Sequence, residues 1–200
     1  MKYYVQTVKT AAEIANAKLI EITNYHPDHA TGPKTTVQVV YVKDQGFRCR
    51  LTCWEKDPKA VETRIDGNVY LDSCMEWFVK FNPSETDEYL NFESNAFGAL
   101  HCMLGAGRHG RRAIPGDVAR PTATITMAED HWIVDYDITL ETIQALFGKA
   151  SYQPGDILKC NFYKCGDETA VPHFGMWNHI PYELLDFHTP QYFGELEIVG

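Results

Sequence analysis

The most regular pattern along the chain is a two-residue alternation. From Cys74 to Phe81 the side chains of Met75, Trp77, Val79 and Phe81 share one face, and those of Cys74, Glu76, Phe78 and Lys80 share the other. From Glu88 to Ser94, Leu90 and Phe92 alternate with Tyr89, Asn91 and Glu93, and Asn95 continues the polar series. Period-two runs of this length predict strands. The intervening Asn82-Pro83-Ser84-Glu85-Thr86-Asp87 has the turn-forming residues of a hairpin loop. One face of the hairpin is apolar and bound for a core. When the other lies in a common surface, it presents Glu76, Asn91 and Glu93 together, with Tyr70 and Tyr89 at its edges.

The same reading predicts strands over Met1–Val8, Lys18–Thr23, Thr36–Val42, Phe47–Trp54, Ala99–Leu104, Thr122–Met127, Trp132–Ile138, Ile157–Lys164, His173–Trp177 and Phe193–Val199. Thr10 caps a short helical turn reaching Ala17, and Leu140–Phe147 is helical, with Leu140, Ile143, Leu146 and Phe147 on one side and Gly148 as its stop. Asn24–Lys34, Asp57–Asn68 and Gly105–Pro121 carry no periodicity and read as loops. About a dozen short strands with one or two short helices predict an all-β protein, an antiparallel β-sandwich, in a single domain spanning residues 1–200.

Composition narrows the function classes. A hydrophobic fraction of 44% with 12% aromatic residues fills a substantial core and excludes a disordered chain. The formal charge of −9 argues against nucleic acid and against an anionic membrane surface, both of which would be repelled. No run approaches the ~20 apolar residues of a membrane helix, and no signal-peptide pattern follows Met1, so the expected location is cytoplasmic unless the sequence is a trimmed piece of an exported protein. Cys49, Cys53, Cys74, Cys102, Cys160 and Cys165 have neither a secreted-scaffold nor a metal-site spacing and read as buried free thiols.

Four segments carry a family resemblance: Asp72-Ser73-Cys74-Met75-Glu76-Trp77-Phe78-Val79, Tyr89-Leu90-Asn91-Phe92-Glu93-Ser94-Asn95, Asp156–Lys164, and Asp186-Phe187-His188-Thr189-Pro190-Gln191-Tyr192-Phe193-Gly194-Glu195-Leu196. In this order they resemble the family 9 carbohydrate-binding modules and their stand-alone relatives, β-sandwiches of DOMON-like type. The resemblance implies a non-catalytic protein that grips a terminal sugar of a xylan- or glucan-type oligosaccharide, or a small sugar, between two aromatic rings. Tyr70 and Phe187 stand where the family has tryptophans, Glu76 falls on the family glutamate, and Asn91 replaces an arginine. Glu93, Arg111, Arg112, Lys164, Trp177 and His188 complete the candidate carbohydrate site, with Arg111, Arg112 or Lys164 standing in for the missing arginine and Trp177 walling the cleft. The sequence demands no cofactor. The resemblance implies structural calcium in carboxylate-rich loops, where Asp57, Glu62 and Asp66, or Asp167 and Glu168, offer hard oxygen ligands.

Two rival readings stand beside it. Glu76 with Glu93 or Asp72 is a candidate carboxylate pair for glycoside hydrolysis. Against it, strand-paired carboxylates on a solvated face lack the burial that makes a general acid, and no nucleophile elbow or zinc-protease motif is present. Some DOMON relatives bind haem, for which Met75, Met103, Met176 and the histidines are the available axial ligands.

Overall fold

The computed structural model describes residues 1–200. Fourteen strands join in one hydrogen-bonded sheet: β1 (Lys2–Val8), β2 (Ile20–Glu21), β3 (Asn24–Tyr25), β4 (Thr35–Val42), β5 (Gly46–Cys53), β6 (Cys74–Lys80), β7 (Tyr89–Asn95), β8 (Leu100–Gly105), β9 (Arg112–Ala113), β10 (Thr122–Met127), β11 (Trp132–Thr139), β12 (Ile157–Cys165), β13 (Phe174–Met176) and β14 (Gly194–Val199). The main path runs β10-β11-β5-β4-β1-β14-β12-β6-β7-β8-β9. It curls so that β11, β5 and β4 pack across a shared interior from β6, β7 and β12. Tyr136 on β11 donates its hydroxyl to the carbonyl of Met75 on β6, and its ring meets Phe92 on β7 at 5.5 Å.

The expected sandwich is therefore present, but it is not antiparallel throughout. β1 lies parallel to both β14 and β4. A first strand inserted between the last strand and an internal one has no hairpin partner, so nothing local in sequence fixes its direction. The helix expected over Leu140–Phe147 forms with those bounds, α1. The Thr139 hydroxyl accepts from the Thr142 N–H at its start, and Gly148, at φ 69°, takes the left-handed turn that ends it. The turn behind Thr10 is a 3-10 helix over Ala11–Asn16, held by a Thr10/Glu13 capping box.

The apolar face of the β6–β7 hairpin, with Met75, Trp77, Val79, Phe81, Leu90 and Phe92, is sealed in the main core. Its other face is also covered, contrary to the expectation of a solvated surface. Phe78, Tyr89 and Tyr163 project there into a second aromatic cluster with Met176, Ile180 and Phe193. The chain between β13 and β14 folds down over the polar face of the hairpin, and the gap left at one end of this cover is the site described next.

Candidate functional site

The register of the hairpin sets the floor of the site. Glu76 pairs directly with Glu93, and Tyr163 of β12 lies on the other side of Glu76. All three side chains rise on the covered face. Above them is a cavity of about 270 Å³ into which Glu76, Glu93, Tyr70, Phe187 and His188 all project. These are five of the ten residues the sequence nominates.

Tyr70 sits on a 3-10 turn, Val69–Leu71, clasped from the neighbouring loop: the N–H groups of Asp167 and Glu168 donate to the carbonyls of Tyr70 and Leu71. Asp72, just beyond, accepts from the N–H groups of Val61 and Glu62 and from the Asn95 amide, each at 2.8 Å. That ties the loop before β6 to the sheet and leaves the Tyr70 ring 39% exposed at the cavity edge. It also spends Asp72 on structure, so it forms no carboxylate pair with Glu76. Phe187, which also lines the cavity, lies flat on Tyr163, with centroids 4.0 Å apart and planes 8° from parallel. Leu185, two residues before it, lines the cavity at φ 34°, a strained conformation for a leucine.

Burial dominates the electrostatics. Glu76 is 2% exposed; its Oε1 accepts from the Cys165 thiol at 3.0 Å, while its Oε2 has no hydrogen-bond partner. Burial, with Cys165, Glu93 and Asp167 nearby, holds its carboxyl well above the usual range. Burial also raises Glu93, offset in part by His101 and by the Asn91 amide, which donates to Glu93 Oε1 at 2.6 Å. Asp167, also lining the cavity, is pushed up to about 6, chiefly by burial. The strand-paired carboxylates are thus desolvated, correcting the expectation of a solvated pair, because the loop cover is invisible in the hairpin's own alternation.

The other nominated residues stand elsewhere. Asn91 is fully buried beside Glu93 on the same face but outside the cavity, steering Glu93 and accepting from the Met103 N–H at 3.0 Å. Arg111 reaches Asn91: its guanidinium lies 4.4 Å above the Tyr89 ring and donates to Asn91 Oδ1, so it brings a cation to the Asn91 position without entering the cavity. Arg112 is exposed and paired with Glu88. Lys164 does not reach the site. It is fully buried on the opposite face of β12, donating to Ser73 Oγ, the Cys165 carbonyl and His173 Nε2, each at 2.9 Å. Trp177 walls no cleft: it is 3% exposed, packs on Phe162, and lies so close to Gly194 that a Cβ there would stand 2.6 Å from its ring.

The cavity also contains residues the sequence reading passed over: His101, Arg108, Cys165 and Phe174. Cys165 was legible, since it shares the parity of Asn161 and Tyr163 on β12. Arg108 stands in an aperiodic loop and had no such signal.

Two of the carboxylates the resemblance nominates for calcium are already engaged by other groups. Glu62 is held by Arg64 and by the N–H groups of Thr63, Arg64 and Asn68, and Asp66 by Arg120 and the Cys102 N–H. Met75 packs in the main core, and the Met176 sulfur accepts the Ile180 N–H, which leaves neither as a haem ligand.

Comparison with known proteins agrees with this architecture. A candidate carbohydrate-binding protein from Bacteroides uniformis superposes with a TM-score of 0.84 at 24% identity, over 99% of each chain. Two structures of a family 9 carbohydrate-binding module from Caldicellulosiruptor kristjanssonii also align over 100% of this chain, both at 14% identity. One, in complex with cellotriose, gives a TM-score of 0.72 over 94% of its length; the other, in complex with glucose, gives 0.70 over 96%. No curated protein matches the sequence. The sequence profile of carbohydrate-binding family 9 matches residues 6–198, nearly the whole chain, and with a site of this shape on a fold of this kind, the chain belongs to carbohydrate-binding family 9.

Proposed function

We propose that this protein binds a neutral sugar, one pyranose unit at a time, between Tyr70 and Phe187, without transforming it. The observation that carries the reading is Glu76 Oε2, a desolvated carboxyl oxygen of a cavity-lining residue that has no hydrogen-bond partner. A buried polar atom left unmatched costs about 1–3 kcal/mol, and a sugar hydroxyl, which both donates and accepts, supplies the missing partner. Rings at the edges offer stacking for the C–H faces of a pyranose. A cavity of about 270 Å³ lies just below the range of drug-sized sites, which suits one sugar ring and not a chain. The family membership and the cellotriose and glucose complexes of structural relatives support the same ligand class.

Hydrolysis is the second reading, favoured by the raised carboxyls of Glu76 and Glu93. The pairing geometry weighs against it. Directly opposed residues on neighbouring strands have Cβ atoms about 4.5–5.5 Å apart on one surface, so both carboxyls meet a ligand from the same side, whereas glycosidases flank the scissile bond.

Calorimetric titration with glucose, cello-oligosaccharides and xylo-oligosaccharides tests both readings. Binding by the wild type and its loss in Glu76→Gln support the proposal. Absence of heat with every sugar overturns it, and turnover of an aryl glycoside that Glu76→Gln abolishes replaces it with the hydrolase.

A further inference from the structure

Beside Glu76, the cavity floor holds a pair of thiols that sugar recognition does not require. Cys74 and Cys165 are direct partners in the β6–β12 register, and Glu76 follows two residues after Cys74 on the same face. Their two sulfurs and a carboxylate oxygen lie within 4.8 Å of one another, and all three residues are buried. In tetrahedral coordination with bonds of about 2.0–2.3 Å, neighbouring ligand atoms stand about 3.3–3.8 Å apart. The Cys165 Sγ to Glu76 Oε1 separation of 3.0 Å is already close to this spacing.

A second observation points to a cation. Glu76, 2% exposed, keeps Oε2 without a partner at the cavity wall. Glu93, its direct cross-strand partner, and Asp167, on the same cavity wall, are acidic as well. A buried carboxyl with an unpartnered oxygen beside other acidic groups is an arrangement that a metal ion satisfies.

We propose that Cys74, Cys165 and Glu76 form a three-ligand site for a thiophilic divalent cation, Zn²⁺ foremost, whose fourth position opens onto the cavity. Thiolate ligands select zinc over calcium or magnesium, which take oxygen. On binding, the two S–H bonds and the O–H bond of the protonated Glu76 carboxyl break, two S–Zn bonds and one O–Zn bond form, and the three protons pass to solvent. Two thiolates and one carboxylate then face the +2 charge, leaving the site at −1.

The test uses the full chain, kept reduced with a phosphine and free of sugar. Addition of Co²⁺ gives a sulfur-to-metal charge-transfer band that saturates at one equivalent, and Zn²⁺ displaces it. The band is lost in Cys165→Ser and in Cys74→Ser, while Glu76→Gln keeps it with affinity weakened at least tenfold. No band in the wild type, or one that persists in both cysteine variants, overturns the site. Should either serine variant fail to fold, the wild-type band, its stoichiometry and its displacement by Zn²⁺ decide the matter alone. The outcome is separable from sugar binding: cobalt uptake without heat from any sugar upholds this site and removes the saccharide reading, and the converse removes only the metal.

Discussion

Arg108 and Asp186 form a two-pronged pair across the mouth of the site, with Nε and Nη2 donating to the two carboxylate oxygens at 3.0 and 2.7 Å. Asp186 Oδ1 also accepts the His188 N–H at 2.8 Å, so one carboxylate links the loop after β8 to the segment that presents Phe187 and His188. The pair is half exposed on the arginine side, and exposed pairs contribute about 0–1 kcal/mol to stability. Its effect falls on preorganisation. Arg108→Ala and Asp186→Asn are each expected to weaken sugar binding about five- to thirtyfold, or about 1–2 kcal/mol, with the melting temperature nearly unchanged. Asp186 does not line the cavity, so an Asp186→Asn variant of wild-type affinity would show that Arg108 acts by direct contact alone.

The two aromatic walls are not equivalent. Tyr70 is free on one side, while Phe187 is already spent on Tyr163. Tyr70→Ala is expected to lower affinity about tenfold at constant stability, the loss of one stacking contact of about 0.5–1.5 kcal/mol. Tyr70→Trp, with the larger ring the family resemblance places there, is expected to raise affinity about threefold. Phe187→Ala loses both binding and about 1–3 kcal/mol of stability, because it opens the stack on Tyr163. Paired calorimetric titrations and thermal melts check this, and a Phe187→Ala protein as stable as wild type would refute the stacked arrangement.

Lys164 separates structure from binding. Its ammonium is fully buried with three hydrogen-bond acceptors at 2.9 Å and Glu55 at 3.8 Å. Lys164→Met leaves Glu55, Ser73 and His173 without their shared donor. The expected cost is about 2–4 kcal/mol, below the full value for a broken buried pair because Glu55 reaches solvent. Sugar affinity of the folded variant should stay within about twofold of wild type. Chemical unfolding together with titration reads the two effects separately, and a selective loss of affinity would return Lys164 to the site.

These contrasts show what the sequence carries. The hairpin was legible because strand alternation has a rigid period: Glu76 and Glu93 had to share a face once both strands were assigned. The same parity places Lys164 with Cys160 and Phe162, the core face of β12, and Asn161, Tyr163 and Cys165 on the site face. Lys164 was misplaced because a charged residue is ordinarily exposed, and its buried partners Ser73 and His173 are remote in sequence. The cover over the site was not legible, since residues 177–193 have no period and their aromatic rings pack by shape. That cover turns a solvated pair of carboxylates into a desolvated one. Trp177 went to the core for a related reason: only the bare Cα of Gly194, seventeen residues later, makes room for its indole.

The cover also sets the response to acid. His188 is pushed down to about 3, first by burial and then by Arg111 and Arg108, against the pull of Asp186; His101 also opposes the charge, and the His188 Nδ1 is hydrogen-bonded to the Tyr89 hydroxyl at 2.7 Å. His173 is pushed down to about 4, by burial and by Lys164, with Glu55 opposing. Its Nδ1–H donates to the Val171 carbonyl and its Nε2 accepts from Lys164, an arrangement that requires the neutral ring. As pH falls below about 6.5 the unfolded chain takes up these protons while the folded protein does not, so folding stability drops until the folded-state values are reached. Each histidine contributes at most about 1.4 kcal/mol per pH unit across that window. Glu76 and Glu93 work in the opposite sense: raised in the folded state, they stay protonated above about 4.5 where the unfolded chain releases its protons, and they erode stability as pH rises. Urea unfolding at pH 7, 5.5 and 4.5 should therefore show a shallower acid decline in His188→Gln than in wild type, and a steeper one in Glu93→Gln. Parallel profiles for all three proteins would mean that neither group is desolvated by the cover.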